Sequence, residues 1–355
     1  MSIVISFDYG DYADVLNNSH GGTNGSPFVV DPDTLSCEAR PALEQVSAAV
    51  LCVLLAAIFL LAVPGNLLVA LVMARSWRSL TASDVYLFHL TAADGLMALS
   101  IPFWAAALKH GWIFGDGACK ALSLIFEANV YAAILFLACI SVDRYLAIVR
   151  TDRPRKSCSR LVCGAVWALG AALALPALFN DAVRPDPDSE RMACVETFDL
   201  GSAAAWRLAT RGLRHILGFA LPLGIMLACY GATVVRLLRT RGFHKHRAMR
   251  VIAAVVVAFL FCWTPYHVAM VADTLLRAEL IPFDCASRHS VSVALTFTNG
   301  LALLHCGVNP LLYAFVGEKF RKNAKALLGG KTRGEWSSVF SRSTSQTSEG
   351  RSAVA

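Results

Sequence analysis

An aspartate and an arginine stand side by side at positions 143 and 144, where the uncharged run "YAAILFLACI" gives way to "SVDRYLAIVR". Opposite charges at such a boundary can pair, part and re-pair at small cost, because water is near enough to solvate either. A lone Arg there can equally be a snorkelling side chain that only marks an interface. Other polar groups lie deeper in apolar sequence. Asp94 in "LTAADGL" is a carboxylate in an uncharged surround, and Asn66, Asn129, His305 and Asn309 are partners of suitable type. Such a set can enclose a small cation such as sodium, or a water cluster. It can also do no more than tie helices together by hydrogen bonds. Charged groups in such a setting are costly and usually functional. A third set, Arg207, Arg211 and Arg214, is spaced i, i+4, i+7 and so shares one helix face. With Asp273 and Arg277 it could line a charged mouth, or it could lie against lipid headgroups. No nucleophile with its base, no metal-ligand cluster and no phosphate-binding loop stands out, so an enzyme is not expected. "LLHC" brings His305 and Cys306 together, but inside an apolar run, where packing is the better reading.

These side chains need rigid elements to hold them. The chain has 355 residues, 56% of them hydrophobic and only 16% charged, where a soluble domain carries about 25% charge. Apolar runs of roughly 18 residues or more read as membrane spans. Seven occur, over 47–73, 84–108, 120–142, 161–179, 208–235, 251–274 and 289–315. "MSIVISFDYG" lacks the basic start of a cleavable signal peptide, so the first span is expected to act as its own insertion signal. Lys and Arg collect in the loops after spans 1, 3 and 5 and after span 7, whereas residues 1–46 hold seven acids against Arg40 alone. That asymmetry puts the N-terminus outside and the C-terminus inside. The net charge of +7 is thus a topology signal and no sign of a nucleic-acid partner. Pro64, Pro102, Pro176, Pro222, Pro265 and Pro310 fall inside spans, where neighbours can re-satisfy the carbonyl each one frees.

The expected fold is an all-α integral membrane protein, a seven-transmembrane helix bundle over 47–316. An acidic arm without helical period precedes it at 1–46. A short amphipathic helix at 317–329, "GEKFRKNAKALLG", is expected on the inner leaflet. A Ser/Thr-rich tail fills 330–355. No Cys follows Cys306, so a palmitoyl anchor there is excluded.

Seven spans carrying Asn66, "LTAAD" to Asp94, "DRY" at 143–145, Trp167, Pro222 with Tyr230, "CWTP" at 262–265 and "NPLLY" at 309–313 resemble the rhodopsin-like G-protein-coupled receptors. The motifs come in order, one per span, across nearly the whole bundle. The resemblance implies that Asp143 holds Arg144 at rest and that activation frees Arg144 to meet the G protein, with Tyr145 beside it. It also implies switch roles for Tyr230, Trp263, Pro265, Asn309, Pro310 and Tyr313, and an allosteric sodium at Asp94, Asn129, His305 and Asn309. "DRYLAIV", "SIPFW" at 100–104, "WIFG" at 112–115, "KHRAMRVI" at 245–252 and "ADTLLR" at 272–277 look like chemokine receptors of the interleukin-8-type CXC group. Three positions depart from the family pattern. Asn299 stands where many chemokine receptors have a mid-pocket acid, and Ala133 and Cys306 replace hydroxyls near the cation site.

Four of the eleven cysteines, Cys37, Cys119, Cys194 and Cys285, fall on the outer side, where an oxidising compartment favours pairing. Spacing alone leaves three connectivities. The family pattern implies Cys119–Cys194 and Cys37–Cys285. The arm sets Tyr9 and Tyr12 among Asp8, Asp11 and Asp14, a setting that favours tyrosine sulfation, and Asn17 and Asn24 begin glycosylation sequons.

The implied function is a plasma-membrane receptor for CXC chemokines whose N-terminus carries Glu-Leu-Arg, coupled to inhibitory-class G proteins. Trp104 and Asn299 would line the pocket with Arg207, Arg211, Arg214, Asp273 and Arg277. Receptor kinases and arrestin would read the tail, and membrane lipids would surround the bundle. A decoy receptor, or a receptor for another chemoattractant peptide, is the alternative; a transporter is disfavoured by the lack of an inverted repeat. Chemokines are mostly basic, so an acidic arm steers their encounter. Replacing Tyr9 and Tyr12 together by Phe is expected to slow association while leaving dissociation nearly unchanged. Binding kinetics at low and high salt check this, and an unaltered on-rate at low salt removes steering as the arm's role.

Overall fold

The computed structural model describes residues 41–77, 80–150, 156–183, 191–197, 203–238, 243–277, 280 and 285–316. Hydrocarbon offers the backbone no water, so a crossing segment must satisfy its own N–H and C=O groups, and a helix does so internally. Seven described helices are long and apolar enough to cross a membrane: Val46–Arg75, Ala82–His110, Gly115–Ile148, Cys158–Phe179, Ala205–Arg236, Val256–Leu276 and Cys285–Leu312. These are spans 1 to 7. The first helix begins at Pro41, inside the segment read from sequence as an arm without helical period. Proline at the first helical position is pre-set for the turn and loses no hydrogen bond there. The sixth runs from Phe243 to Arg277, longer than its apolar run. The expected helix at 317–329 and the tail lie outside the described residues, as do Asp8, Tyr9, Asp11, Tyr12, Asp14, Asn17, Asn24 and Cys37.

Span 3 is the centre of the bundle. It touches spans 2, 4 and 5, and 67% of its apolar window is buried against 22% for span 5. Spans 1, 2 and 7 pack together beside it, and span 6 leans on span 7. Span 2 starts on a capping box. The Thr81 hydroxyl accepts from the Asp84 N–H, and the Asp84 carboxylate accepts from the Thr81 N–H at 2.8 Å. It stops at Gly111, whose φ of 76° favours glycine and whose N–H donates to the Ala107 carbonyl.

The prolines divide into two kinds. Pro64, Pro102, Pro265 and Pro310 lie inside continuous helices. Pro176 instead sits in a 3₁₀ turn, Leu175–Phe179, that ends span 4. Pro222 follows a π-helical turn, Ile216–Ala220, that interrupts span 5. A wide turn just before a residue without an N–H absorbs the lost bond.

Between spans 4 and 5 the chain forms a two-stranded antiparallel hairpin, β1 (Asn180–Val183) and β2 (Ala193–Glu196), with Ala182 opposite Cys194. Cys194 is joined to Cys119 at the start of span 3 by a disulfide, as the resemblance implied. Cys285 is also disulfide-bonded. Three further bonds hold the hairpin down. The Trp112 N–H donates to the Met192 carbonyl at 2.7 Å. Lys120 and the Thr197 hydroxyl both reach the Asp181 carboxylate and hold it below the usual carboxylate range.

Spans 1 and 7 pack closely where Gly65 faces Pro310. A Cβ on Gly65 would come within 3.0 Å of the Pro310 Cβ, and a proline ring fixed in a helix cannot yield as a flexible side chain would. Gly65→Ala is therefore expected to lower stability by about 1 to 3 kcal/mol, the usual cost of overpacking. Thermal unfolding in detergent checks it, with Leu67→Ala as the neutral control because Leu67 is 57% exposed to the surround. Equal melting temperatures for the two variants would show that the contact relaxes freely.

Candidate functional site

Three polar clusters lie along the axis of the bundle. The middle one is built on Asp94 of span 2, which has no exposed surface. The Asn309 amide donates to its Oδ2 at 2.7 Å. Its Oδ1 has no hydrogen-bond partner, and the His305 Nε2, 3.6 Å away, has none either. His305 Nδ1 is taken by the Ala302 carbonyl at 2.5 Å. Asn66 does not join Asp94. Its amide donates to the carbonyls of Ala62 and Cys306, at 2.9 and 2.8 Å, and so ties span 1 to span 7. Asn129 is buried on span 3, and no hydrogen bond links it to Asp94 among the described residues. A sodium shell needs several oxygens, as hard cations do. Here Asp94 offers one free oxygen, His305 brings a nitrogen, position 133 is Ala, and the Cys306 thiol donates to the Leu303 carbonyl at 2.9 Å. Among the described residues these groups form a hydrogen-bonded network that joins spans 1, 2 and 7.

The second cluster lies at the hairpin end. Arg211 and Arg214 share a face of span 5, as their spacing requires, but they take different partners. Arg211 Nη1 meets Asp273 Oδ2 of span 6 at 2.7 Å and also donates to the Thr274 hydroxyl at 3.0 Å. Arg214 Nη2 meets Glu127 Oε1 of span 3 at 2.7 Å. Glu127 is 4% exposed and is the deeper of the two acids, while the Arg214 side chain keeps 22% of its surface. Arg207, on the same helix, is half-buried. Trp104 is buried against Trp112 and Phe126, with ring centroids at 5.3 and 6.1 Å. Asn299 is buried, with its Oδ1 unpartnered. Arg277 and Tyr313 lie in the helices of spans 6 and 7, with side chains outside the described residues.

Below the Arg pairs an aromatic and imidazole row runs inward. His215 Nδ1 lies 2.8 Å from His267 Nδ1, joining spans 5 and 6. His267 stacks on Phe219 at 4.2 Å, Trp263 follows at 6.2 Å, and His305 lies 5.3 Å beyond Trp263. Pro265 lies half-buried one turn from this row.

The third cluster is at the opposite end. Asp143 is buried, and Arg144 Nη2 lies 3.8 Å from its Oδ2. The Ser83 hydroxyl of span 2 donates to that same Oδ2. Tyr145 is half-buried beside the pair, and Tyr230 is half-buried on span 5. Pro310 and Asn309 are buried on span 7.

Sequence reading missed Glu127, Ser83 and His267. An acid in "LIFEANVY" was a signal that was present, since a charge in an apolar span calls for a partner. Ser83 gave none, because its partner lies 60 positions away. His267 likewise needed the packing of spans 5 and 6 to be known.

The family model for the seven-transmembrane receptors of the rhodopsin family matches residues 65–313. The chain is 44% identical over 311 residues to C-X-C chemokine receptor type 2 of Bos taurus, covering 86% of this chain and 85% of that one. It is 43% identical over 326 residues to the human type 2 receptor, covering 90% and 88%. With the human type 1 receptor it shares 45% over 282 residues, covering 78% and 80%.

Breaking a buried ion pair on one side strands the other charge, at a cost of about 3 to 5 kcal/mol. Arg214→Gln or Glu127→Gln alone is therefore expected to lower the melting temperature and surface expression markedly. The double variant should recover much of the loss, because no charge is left unpaired. A double-mutant cycle on thermal stability measures this, and additive losses would dissolve the pair as an energetic unit.

Proposed function

The chain belongs to the rhodopsin family of seven-transmembrane receptors, and on that premise we propose that it is the receptor for CXC chemokines whose N-terminus carries Glu-Leu-Arg, coupled to an inhibitory-class G protein. It is a multi-pass plasma-membrane protein and no enzyme. The observation that carries the proposal is the Arg211–Asp273 pair, closed on itself at 2.7 Å with both side chains 13% exposed. An acid and a base so placed at a mouth can exchange their mutual bond for two charge-assisted bonds, Arg211 to a ligand Glu and Asp273 to a ligand Arg. Relatives at 43 to 45% identity carry the name of C-X-C chemokine receptors.

In this reading the hairpin end faces outside, and the acidic arm with Tyr9 and Tyr12 gives the first encounter. Cys37 would bond to Cys285 and fix the arm beside span 7. The ligand prefers the state in which span 6 swings about Pro265, with Trp263 as the pivot, and so shifts the population toward it. Arg144 then leaves Asp143 and meets the G protein. The Asp94 cluster serves as a polar network that sets how spans 1, 2 and 7 sit. Phosphates on Ser337, Ser338, Ser341, Ser343, Thr344, Ser345, Thr347, Ser348 and Ser352 would each add about −1.5 to −2 charge and suit arrestin's basic groove.

Labelled CXC chemokines with and without Glu-Leu-Arg, presented to cells expressing the chain, test the proposal. Those with the element are expected to bind and to inhibit cAMP production. Arg211→Gln and Asp273→Asn should weaken their binding by roughly 10- to 150-fold, the scale of a hydrogen bond to a charge, whereas an ordinary hydrogen bond is worth about three- to tenfold. Binding and uptake without any cAMP response would identify a decoy. Equal binding of both chemokine classes would remove the Glu-Leu-Arg element from the recognition.

A further inference from the structure

Asp143 Oδ2 has two suitors. The Ser83 hydroxyl, in the first turn of span 2, donates a hydrogen bond to it. The Arg144 guanidinium, next in sequence, stands 3.8 Å from the same atom. A charge-assisted bond between guanidinium and carboxylate closes to about 2.7 to 2.9 Å, so Arg144 is held by attraction across a gap and not by a bond. A carboxylate oxygen can accept more than one bond, so the hydroxyl competes with Arg144 by sharing the charge on Oδ2 and crowding its approach, not by filling it.

The setting makes the hydroxyl hard to displace. Ser83 is 5% exposed and Asp143 7%. The turn that carries Ser83 is pinned by the capping box between Thr81 and Asp84. Arg144, at 32% side-chain exposure, keeps its charge partly in water. One partner is therefore neutral and buried on a capped turn, and the other is charged and about a third exposed.

We propose that Ser83 is a positioning residue of the Asp143–Arg144 switch: by donating to Asp143 Oδ2 it shares the charge that holds Arg144 and so sets the ease with which Arg144 departs. This rests on the reading of Asp143 and Arg144 as the switch, given above. A hydroxyl on the carboxylate lowers the attraction that Arg144 must overcome. Without it, the undivided charge on Oδ2 draws Arg144 more strongly, and the resting state deepens.

The test compares Ser83→Ala, Ser83→Thr and Asp143→Asn, each alone, and Ser83→Ala with Asp143→Asn, all at matched surface expression. Basal and chemokine-stimulated nucleotide exchange on an added inhibitory G protein is read in membranes, with chemokine affinity measured without G protein. Ser83→Ala is expected to lower basal exchange and to raise the chemokine concentration for half-maximal response by about three- to tenfold, the reach of one ordinary hydrogen bond. Affinity without G protein should stay at the wild-type value, and Ser83→Thr, which keeps the hydroxyl, should behave as wild type. In the Asp143→Asn background Ser83→Ala should change nothing, because the contested charge is gone. If Asp143→Asn itself leaves basal exchange unaltered, the switch reading fails. If Asp143→Asn raises it while Ser83→Ala raises basal exchange or leaves it alone, or acts equally in both backgrounds, the role of Ser83 is overturned and the switch stands. Should Ser83→Ala not reach the surface, Ser83→Gly removes the same hydroxyl and is read by the same criteria.

Discussion

A carboxylate with no exposed surface, surrounded by helices that face hydrocarbon, must find its partners inside the protein. Asp94 finds Asn309 of span 7 at 2.7 Å, with His305 of the same helix beside it. That requirement binds spans 2 and 7 more firmly than apolar contact could, because lipid tails compete equally for apolar surfaces but not for a charge. Span 1 is drawn in by the same logic through Asn66 and the Cys306 carbonyl. Gly65 then lets the two backbones approach to where Pro310 can sit against it. The packing of three helices thus follows from placing a few polar atoms where water cannot reach.

From Asp94 a continuous series of ring contacts leads toward the mouth, through His305, Trp263 and His267 to His215. It crosses from span 7 to span 6 to span 5, the helices that carry Pro310, Pro265 and Pro222. Spatial continuity is a warrant of association, and coupling requires an element with two states. Span 5 has the irregularity such an element uses, a π-helical turn set between His215 and Pro222. The ring series touches the bundle at the helix that is least regular and, in its apolar window, least buried.

The order of the spans was legible in the sequence because the bilayer allows few ways to hide a backbone, and apolar length reports that directly. The caps at Thr81 and Asp84 and the shared face of Arg211 and Arg214 are local features, readable from spacing. What spacing could not give was the partner. Three arginines on one face read with Asp273 and Arg277 as one charged mouth, and spacing did not say that Arg211 goes to span 6 and Arg214 to span 3. The hairpin was hidden for a related reason. Residues 180–183 and 193–196 are too short and mixed to show a strand period, and they pair because the disulfide and Lys120 hold them over span 3. The sodium expectation came from family pattern and not from spacing.

The two charged ends differ in a way that magnitude decides. At the mouth, Glu127 is withdrawn from water at 5% exposure, so taking Arg214 away leaves a stranded charge and costs several kcal/mol, about 3 to 5. At the other end Arg144 is a third exposed and separated from Asp143 by 3.8 Å, the regime in which an ion pair contributes about 0 to 1 kcal/mol. The first pair therefore fixes a wall and the second permits exchange. Arg211 and Asp273, closed at 2.7 Å but less buried than Glu127, lie between these limits. Their bond is strong enough to exclude indifferent ligands, and it is replaceable by a partner that offers both charges at once. A signal that starts by opening the intermediate pair and ends by freeing the weak one runs downhill in the charge it must uncover, with the strong pair left closed as the fixed frame.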